Sequence, residues 1–321
     1  MQRRSIGIVA ITCGLLANAA SAWAAAETWV SGTGSNAGAC PITAPCRTFS
    51  YAHGQTSAGG TINVLSAGDF GPLTITKSIN IVADGVQAGI LGGGSIGAAI
   101  KIQAGVGDIV SLHGLTIDLR GTDNDGISFL SGRVLHVHDC VIRRAINGIR
   151  FSPASETSEL YVADSVIADS STKGAGGIGV APTGSGAAQV VLDRVRVENS
   201  GTIGIFFVMG AYTVGSISAI VRDSVVAGSS KLAAGIGGPG IAAAGYGSGT
   251  TKVMVDRSAS AHNGSGVRAF EGATIRIGDS TLTGNHTGLS VLSGGVIESY
   301  GTNKVSGNVN DGTPTSTITM K

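Results

Sequence analysis

LYVADSVIAD, residues 160–169, has near-copies along the chain: LHVHDCVIRR around Asp139, VVLDRVRVEN around Asp193, AIVRDSVVAG around Asp223, VMVDRSASAH around Asp256 and IRIGDSTLTG around Asp279. Aligned on the aspartate, they lie 25, 29, 30, 33 and 23 residues apart, and VSLHGLTIDL puts Gly114 at the same place 25 residues before Asp139. A second marker, a glycine followed by an aliphatic residue, trails each copy: Gly126-Ile127, Gly148-Ile149, Gly177-Ile178, Gly204-Ile205, Gly240-Ile241, Gly266-Val267 and Gly288-Leu289. Self-similarity at this period means stacked units sharing one core, because no single unit can bury its own apolar face.

Inside a unit the apolar residues alternate, as in Leu135 and Val137 or Leu160 and Val162, in runs broken by Gly, Asn, Ser or Asp. That is strand spacing. Helical solenoids need longer runs with a 3.6-residue period, and leucine-rich repeats need Leu and Asn at fixed offsets; neither occurs. The class expected is all-β, a single-stranded right-handed parallel β-helix of about ten coils stacked about 4.8 Å apart. The Asp193 copy breaks the alternation: Val195 and Val197 fall one place out of step, and Arg196 lands where a core residue is expected.

The DS-V-I units, the Gly-Ile marker and the opening TWVSGTGSNAGACPITAPCRTF…AGGTINVLSAGDFGPLTITKSINIVADG resemble secreted bacterial members of the right-handed parallel β-helix, or pectin-lyase-like, superfamily. The likeness spans nearly the whole mature chain. It implies the fold and says little of activity, since the scaffold hosts lyases, hydrolases, epimerases, adhesins and proteins with no known reaction.

Residues 1–25 read as a signal peptide, with Arg3 and Arg4 ahead of an apolar run and a cleavage site near Ala22 to Ala26. The mature protein is expected to be secreted or periplasmic, with no membrane insertion after cleavage. Losing Arg3 and Arg4 leaves 19 basic against 20 acidic residues, a charge of about −1 that points to no nucleic-acid partner. Export makes a disulfide between Cys40 and Cys46 the expected pairing, and Cys140 is left as a small buried hydrophobe. Residues 26–60 are expected to form a cap, with a short helix at 47–52 over the open end. The β-helix then occupies 61–321, and STITMK (316–321) closes its far end.

The repeated polar residues form expected columns. Stacked aspartates repel one another unless offset, and Arg194, Arg222 and Arg257 stand beside three of them; a calcium ladder is the alternative, although the GGxGxD repeat that builds one is missing. Ala145, Ser170, Asn199, Ser229, His262, Asn285 and Asn308 follow at a second turn, an arrangement similar to the superfamily's asparagine ladder. His113, His136 and His138 fall on the outward face of neighbouring units, where three imidazoles could hold zinc or copper or could simply meet water.

The candidate catalytic group is Asp118, Asp123, Asp125, Arg143 and Arg144. Two carboxylates can serve as acid and base or as calcium ligands, while an arginine grips a sugar carboxylate. The rival account is ion pairing between coils on a solvated face, with Asp118 on Arg143, and Arg144 near Asp169 and Glu198. The segments that mark polygalacturonases (NTD, DD, GHG, RIK) and the R-x-P-x-x-R of pectate and pectin lyases do not occur; DND at 123–125 is a faint echo of the first. The leading expectation is therefore a non-catalytic exported protein contacting extracellular polysaccharide or a cell-surface glycan, without cofactor. The alternative is a lyase, epimerase or hydrolase of a uronate-containing polymer. With 4% aromatic residues, stacked-ring sugar platforms are not expected.

Overall fold

The computed structural model describes residues 24–92, 97–122, 124–171, 176–229 and 237–319. Among the described residues, three parallel sheets of 12, 10 and 9 strands, here sheets A, B and C, take successive strands of the chain in rotation. One coil runs Val134–His138 in sheet A, Val141–Arg143 in sheet B and Asn147–Phe151 in sheet C before Thr157–Ala163 returns to sheet A. The result is the right-handed parallel β-helix expected from the repeat, the hand that parallel crossover connections almost always take.

Alternation turns one residue in two inward, and the coils place like residues in columns. In sheet A, Ile81, Leu112, Val137, Val162, Leu192, Val221, Val255 and Ile277 stack in register, all buried. Ile117, Ile142, Ile167, Val197 and Val226 do the same in sheet B. Each buried aliphatic side chain contributes about 1.5–3 kcal/mol, so the rod is held by its columns. The irregular coil is thereby placed: Val197 sits under Ile167 in the core, Arg196 points outward between Val166 and Val225, and Val195 is buried at the corner.

The marker glycines mark a close approach at the start of sheet C. A Cβ on Gly177 would lie 2.3 Å from Val197 Cγ1 and 2.4 Å from the carbonyl oxygen of Gly204 in the next coil. No larger residue fits there without moving backbone.

The aspartate ladder needs correcting. At the corner between sheets A and B, the positive-φ position is held by Gly114, Asp139, Asp164, Arg194, Asp223, Arg257 and Asp279. Asp193 and Asp256 lie one place earlier, within strands, where Asp193 is in register with Ala163 and Arg222. The turn requires a left-handed residue rather than a carboxylate, and in these two units arginine supplies it. The expected repulsion disappears because cations interleave: Arg194 grips Asp164 through Nε at 2.7 Å and Nη2 at 2.8 Å, and Arg257 grips Asp223 at 2.9 Å through both.

The following residue builds a second ladder. Ser165, Ser224, Ser258 and Ser280 each donate Oγ–H to the carbonyl two residues back and accept the N–H of Cys140, Val195, Ser224 and Ser258, respectively, in the previous coil.

The asparagine ladder also shifts by one in two coils. Asn199 and His262 occupy the left-handed position before it, and Ser200 and Asn263 take the ladder places. Asn285 Oδ1 accepts from Asn263 N–H at 2.9 Å, and Asn308 Oδ1 from Asn285 N–H at 3.0 Å.

Sheet A begins with Ala25–Val30 and Thr56–Val64, which overlap both ends of the stretch 26–60 read as cap. Phe49–Gln55 is the helix, its first turn closed by Thr48 Oγ1 accepting from Tyr51 N–H. The Cys40–Cys46 disulfide is present. Its loop covers the outer edge of the first strand: Trp29 N–H donates to Cys40 O, Cys46 N–H to Trp29 O and Ser31 N–H to Cys46 O. An uncovered edge would be a template for another chain. Ser316–Thr317 pairs with Val296–Ser299 at the opposite end of sheet A. Residues 1–23, most of the predicted signal peptide, lie outside the described residues. No helix among the described residues is long and apolar enough to cross a membrane.

Candidate functional site

Asp118 ends a strand of sheet B and is the register partner of Arg143, but its ion pair is with Arg144, which donates Nε–H to Oδ1 at 2.8 Å and Nη2–H to Oδ2. Those hydrogen bonds hold the Asp118 carboxyl below the usual carboxylate range. Asp125 starts a strand of sheet C, buried, with Arg150 Nε at 2.7 Å from Oδ2 and Asn147 Nδ2 donating to Oδ1 at 2.7 Å. Asp123 lies outside the described residues. The predicted group is thus divided between two sheets, and its two described carboxylates are each engaged by an arginine of the next coil. Glu198 pairs with Arg196 and Asp169 accepts from Asn199, so the expected approach of Arg144 to Glu198 is replaced by the Asp118 pair.

Two of the three histidines come together. His113 and His138 are in register, their rings stacked 5.0 Å apart at 13°, with Nδ1 facing Nδ1 at 2.9 Å. One of these nitrogens donates to the other. His138 Nε2 lies 3.2 Å from Asp164, whose carboxyl Arg194 holds below its usual range. His136 is two residues away along the strand and stacks on Tyr161 at 5.0 Å; burial lowers its pKa. The described residues contain no group of three or more His, Cys, Asp or Glu able to hold a metal ion. Cys140 is buried, and burial pushes its thiol up to about 12, which removes it as a nucleophile near neutrality.

A groove of about 340 Å³, not foreseen from the repeat, lies on the outer face of sheet A, where Ser218, Ile220, Lys252, Met254, Arg276 and Glu298 line adjoining coils. Lys252 is in register with Ser218 and Thr274, and Met254 with Ile220 and Arg276. Arg276 pairs with Glu298 at 2.7 Å, while Lys252 makes no ion pair among the described residues. Upstream, the central outward column continues through Val191 and Tyr161 to His136. The face therefore offers an apolar centre flanked by hydroxyl, carboxylate and cationic groups. Such a column joins residues about 30 positions apart, and only strand register reveals it.

Among solved structures, the chain resembles one described as the crystal structure of pectate lyase Pel9A, with a TM-score of 0.60 and 15% identity, over 85% of this chain and 74% of that one. What the two share is the fold. No protein-family model matches the chain, and no curated protein does.

Proposed function

We propose that this protein is an exported, non-catalytic β-helix whose sheet A face holds an extracellular polysaccharide or cell-surface glycan. The observation that carries the reading is the contrast between engaged acids and an open groove. Asp118 and Asp125, the described carboxylates of the predicted catalytic group, sit in ion pairs with Arg144 and Arg150. A carboxylate so held is a poor proton donor and a weak base. The sheet A groove instead presents Lys252, Arg276, Ser218 and Glu298 around Ile220 and Met254. A polar rim about an apolar floor suits a chain of sugar rings. The disulfide accords with an oxidising destination.

The test incubates the mature protein with a panel of acidic and neutral polysaccharides, with and without calcium, following both binding and products. Saturable binding is expected, weakened about fivefold by Lys252→Ala, with no shortened or unsaturated product. Product formation lost in Arg143→Ala would replace this reading with a lyase, epimerase or hydrolase acting on a uronate polymer.

A further inference from the structure

Sheet C carries a feature that neither the predicted site nor the groove uses. Its outward column runs through Phe206, Ala242 and Arg268, and the next outward column includes Ala244 and Phe270. The rings of Phe206 and Phe270 lie parallel within 11°, with centroids 6.1 Å apart, although a whole coil separates them. They close over Ala242 and Ala244, both fully buried although they point away from the core. Tyr246 packs edge-on against Phe270 at 6.0 Å and remains 38% exposed.

Arg268 stands on the same outward face, in register with Ala242 and two residues before Phe270. Its Nη2 donates to Ser265 Oγ at 2.7 Å, while its Nε is shut from solvent and has no hydrogen-bond acceptor. Its register neighbours, Ala242 and Ser290, bear no charge, and it has no ion pair among the described residues. Burial lowers its pKa. Elsewhere on the rod, Arg144, Arg150, Arg194, Arg257 and Arg276 each hold a carboxylate. A guanidinium that shares an outward face with rings and has no anion beside it is complementary to an anion that brings its own apolar face.

We propose that Arg268, Phe206, Phe270 and Tyr246 form a second glycan subsite that takes a sugar bearing a carboxylate. The guanidinium pairs with the carboxylate, and the C–H face of the sugar ring lies on the aromatic edge. The proposal shares only its ligand class with the sheet A reading. It lies on a different sheet and does not require the groove.

The experiment titrates the full mature chain with a short oligogalacturonate and with its methyl ester, by calorimetry, in four forms: parent, Arg268→Gln, Phe270→Ala and the sheet A double variant Lys252→Ala/Arg276→Ala. Matching thermal unfolding curves verify folding. The expected result is binding that is weakened but not abolished in the double variant and that falls about tenfold in Arg268→Gln for the acid but not for the ester. Phe270→Ala is expected to weaken both ligands. Acid binding unchanged in Arg268→Gln overturns the subsite and leaves the sheet A groove standing if the double variant has lost affinity. Residual binding that depends on Arg268 but not on Lys252 or Arg276 supports the subsite and removes the groove. An absence of binding in every form overturns both.

Discussion

At the corner between sheets A and B the chain turns on Asp139, Asp164, Arg194, Asp223, Arg257 and Asp279, whose side chains form a charged ridge reaching water. At the corner between sheets B and C the residues after the turn are Ser229, Asn263 and Asn285, all buried, with Asn308 partly exposed at the end of the row. Both corners must satisfy backbone groups at a point where strand pairing lapses, and both do so with a buried ladder, of serines at the first and of serine and asparagine at the second. The ridge, whose bonds join side chain to side chain, differs from these ladders in solvent. The buried ladder works in a medium where an unmade hydrogen bond costs its full desolvation penalty, and the exposed ridge works where water replaces any lost partner. Polar residues that looked alike in the sequence therefore carry different weight, and neither corner leaves its groups available for a substrate.

The sharpest test of that difference is Asn285→Ala. The side chain accepts from Asn263 N–H at 2.9 Å and donates to Ser260 O and Asn308 Oδ1, both at 2.9 Å. Deleting it strands several buried groups and opens a small void, so unfolding in urea should show a loss of about 4 kcal/mol. A loss under 1 kcal/mol would mean that the corner relaxes or admits water, and the distinction between the two corners would fail.

A second effect, somewhat smaller, comes from acid. His53 is buried in the cap helix, and burial, aided by the charge of Lys77, lowers its pKa from 6.5 to about 4. The unfolded chain then binds a proton that the folded chain refuses between those values. Stability is complete above about pH 6.5 and falls as pH drops toward 4, by about 3 kcal/mol. The carboxylates of the exposed ridge behave otherwise: Asp164 and Asp223 have folded pKa values below 3.8, so their contribution is present above 3.8 and is lost only below it. Urea midpoints at pH 7 and pH 4 should separate in the parent and converge in His53→Leu. Equal slopes in both proteins would assign the acid sensitivity elsewhere.

How far the sequence could be read follows from the same physics. The disulfide was legible from a predicted export signal and two cysteines six residues apart. The β-helix and the coil order were legible because apolar alternation and the glycine marker recur in every unit, and each reports a constraint that admits few residue types. Gly177 illustrates it, with a carbonyl 2.4 Å from where a Cβ would sit. The ladders were legible only to within one residue. The left-handed turn accepts Asp, Arg, Asn, His or Gly, so aligning on aspartate misplaced Asp193 and Asp256, and aligning on polar side chains misplaced Asn199 and His262. The groove and the aromatic cluster were not legible. Phe206 and Phe270 are 64 positions apart and meet only because the coils between them add up to the right register. The candidate acids were placed near suitable arginines, yet which arginine, 143 or 144, depended on the side chain that turns outward at the corner.

The smallest effect completes the comparison, and its salt dependence is what makes it informative. Arg257 grips Asp223 in the preceding coil and also reaches Asp256 beside it, yet its side chain is largely in water. Arg257→Gln removes the charge while keeping a hydrogen-bonding side chain at the left-handed turn. Exposed pairs add little because water and ions compensate. A slight destabilisation at low ionic strength should therefore fade in about 1 M salt, where the screening length is about 3 Å. Asn285→Ala, by contrast, should be as damaging in high salt as in low, because no ions enter that corner. If Arg257→Gln stays costly in 1 M salt, the ridge is packed rather than electrostatic, and the two corners are variants of one device; if its cost fades while that of Asn285→Ala persists, burial sets the worth of each ladder.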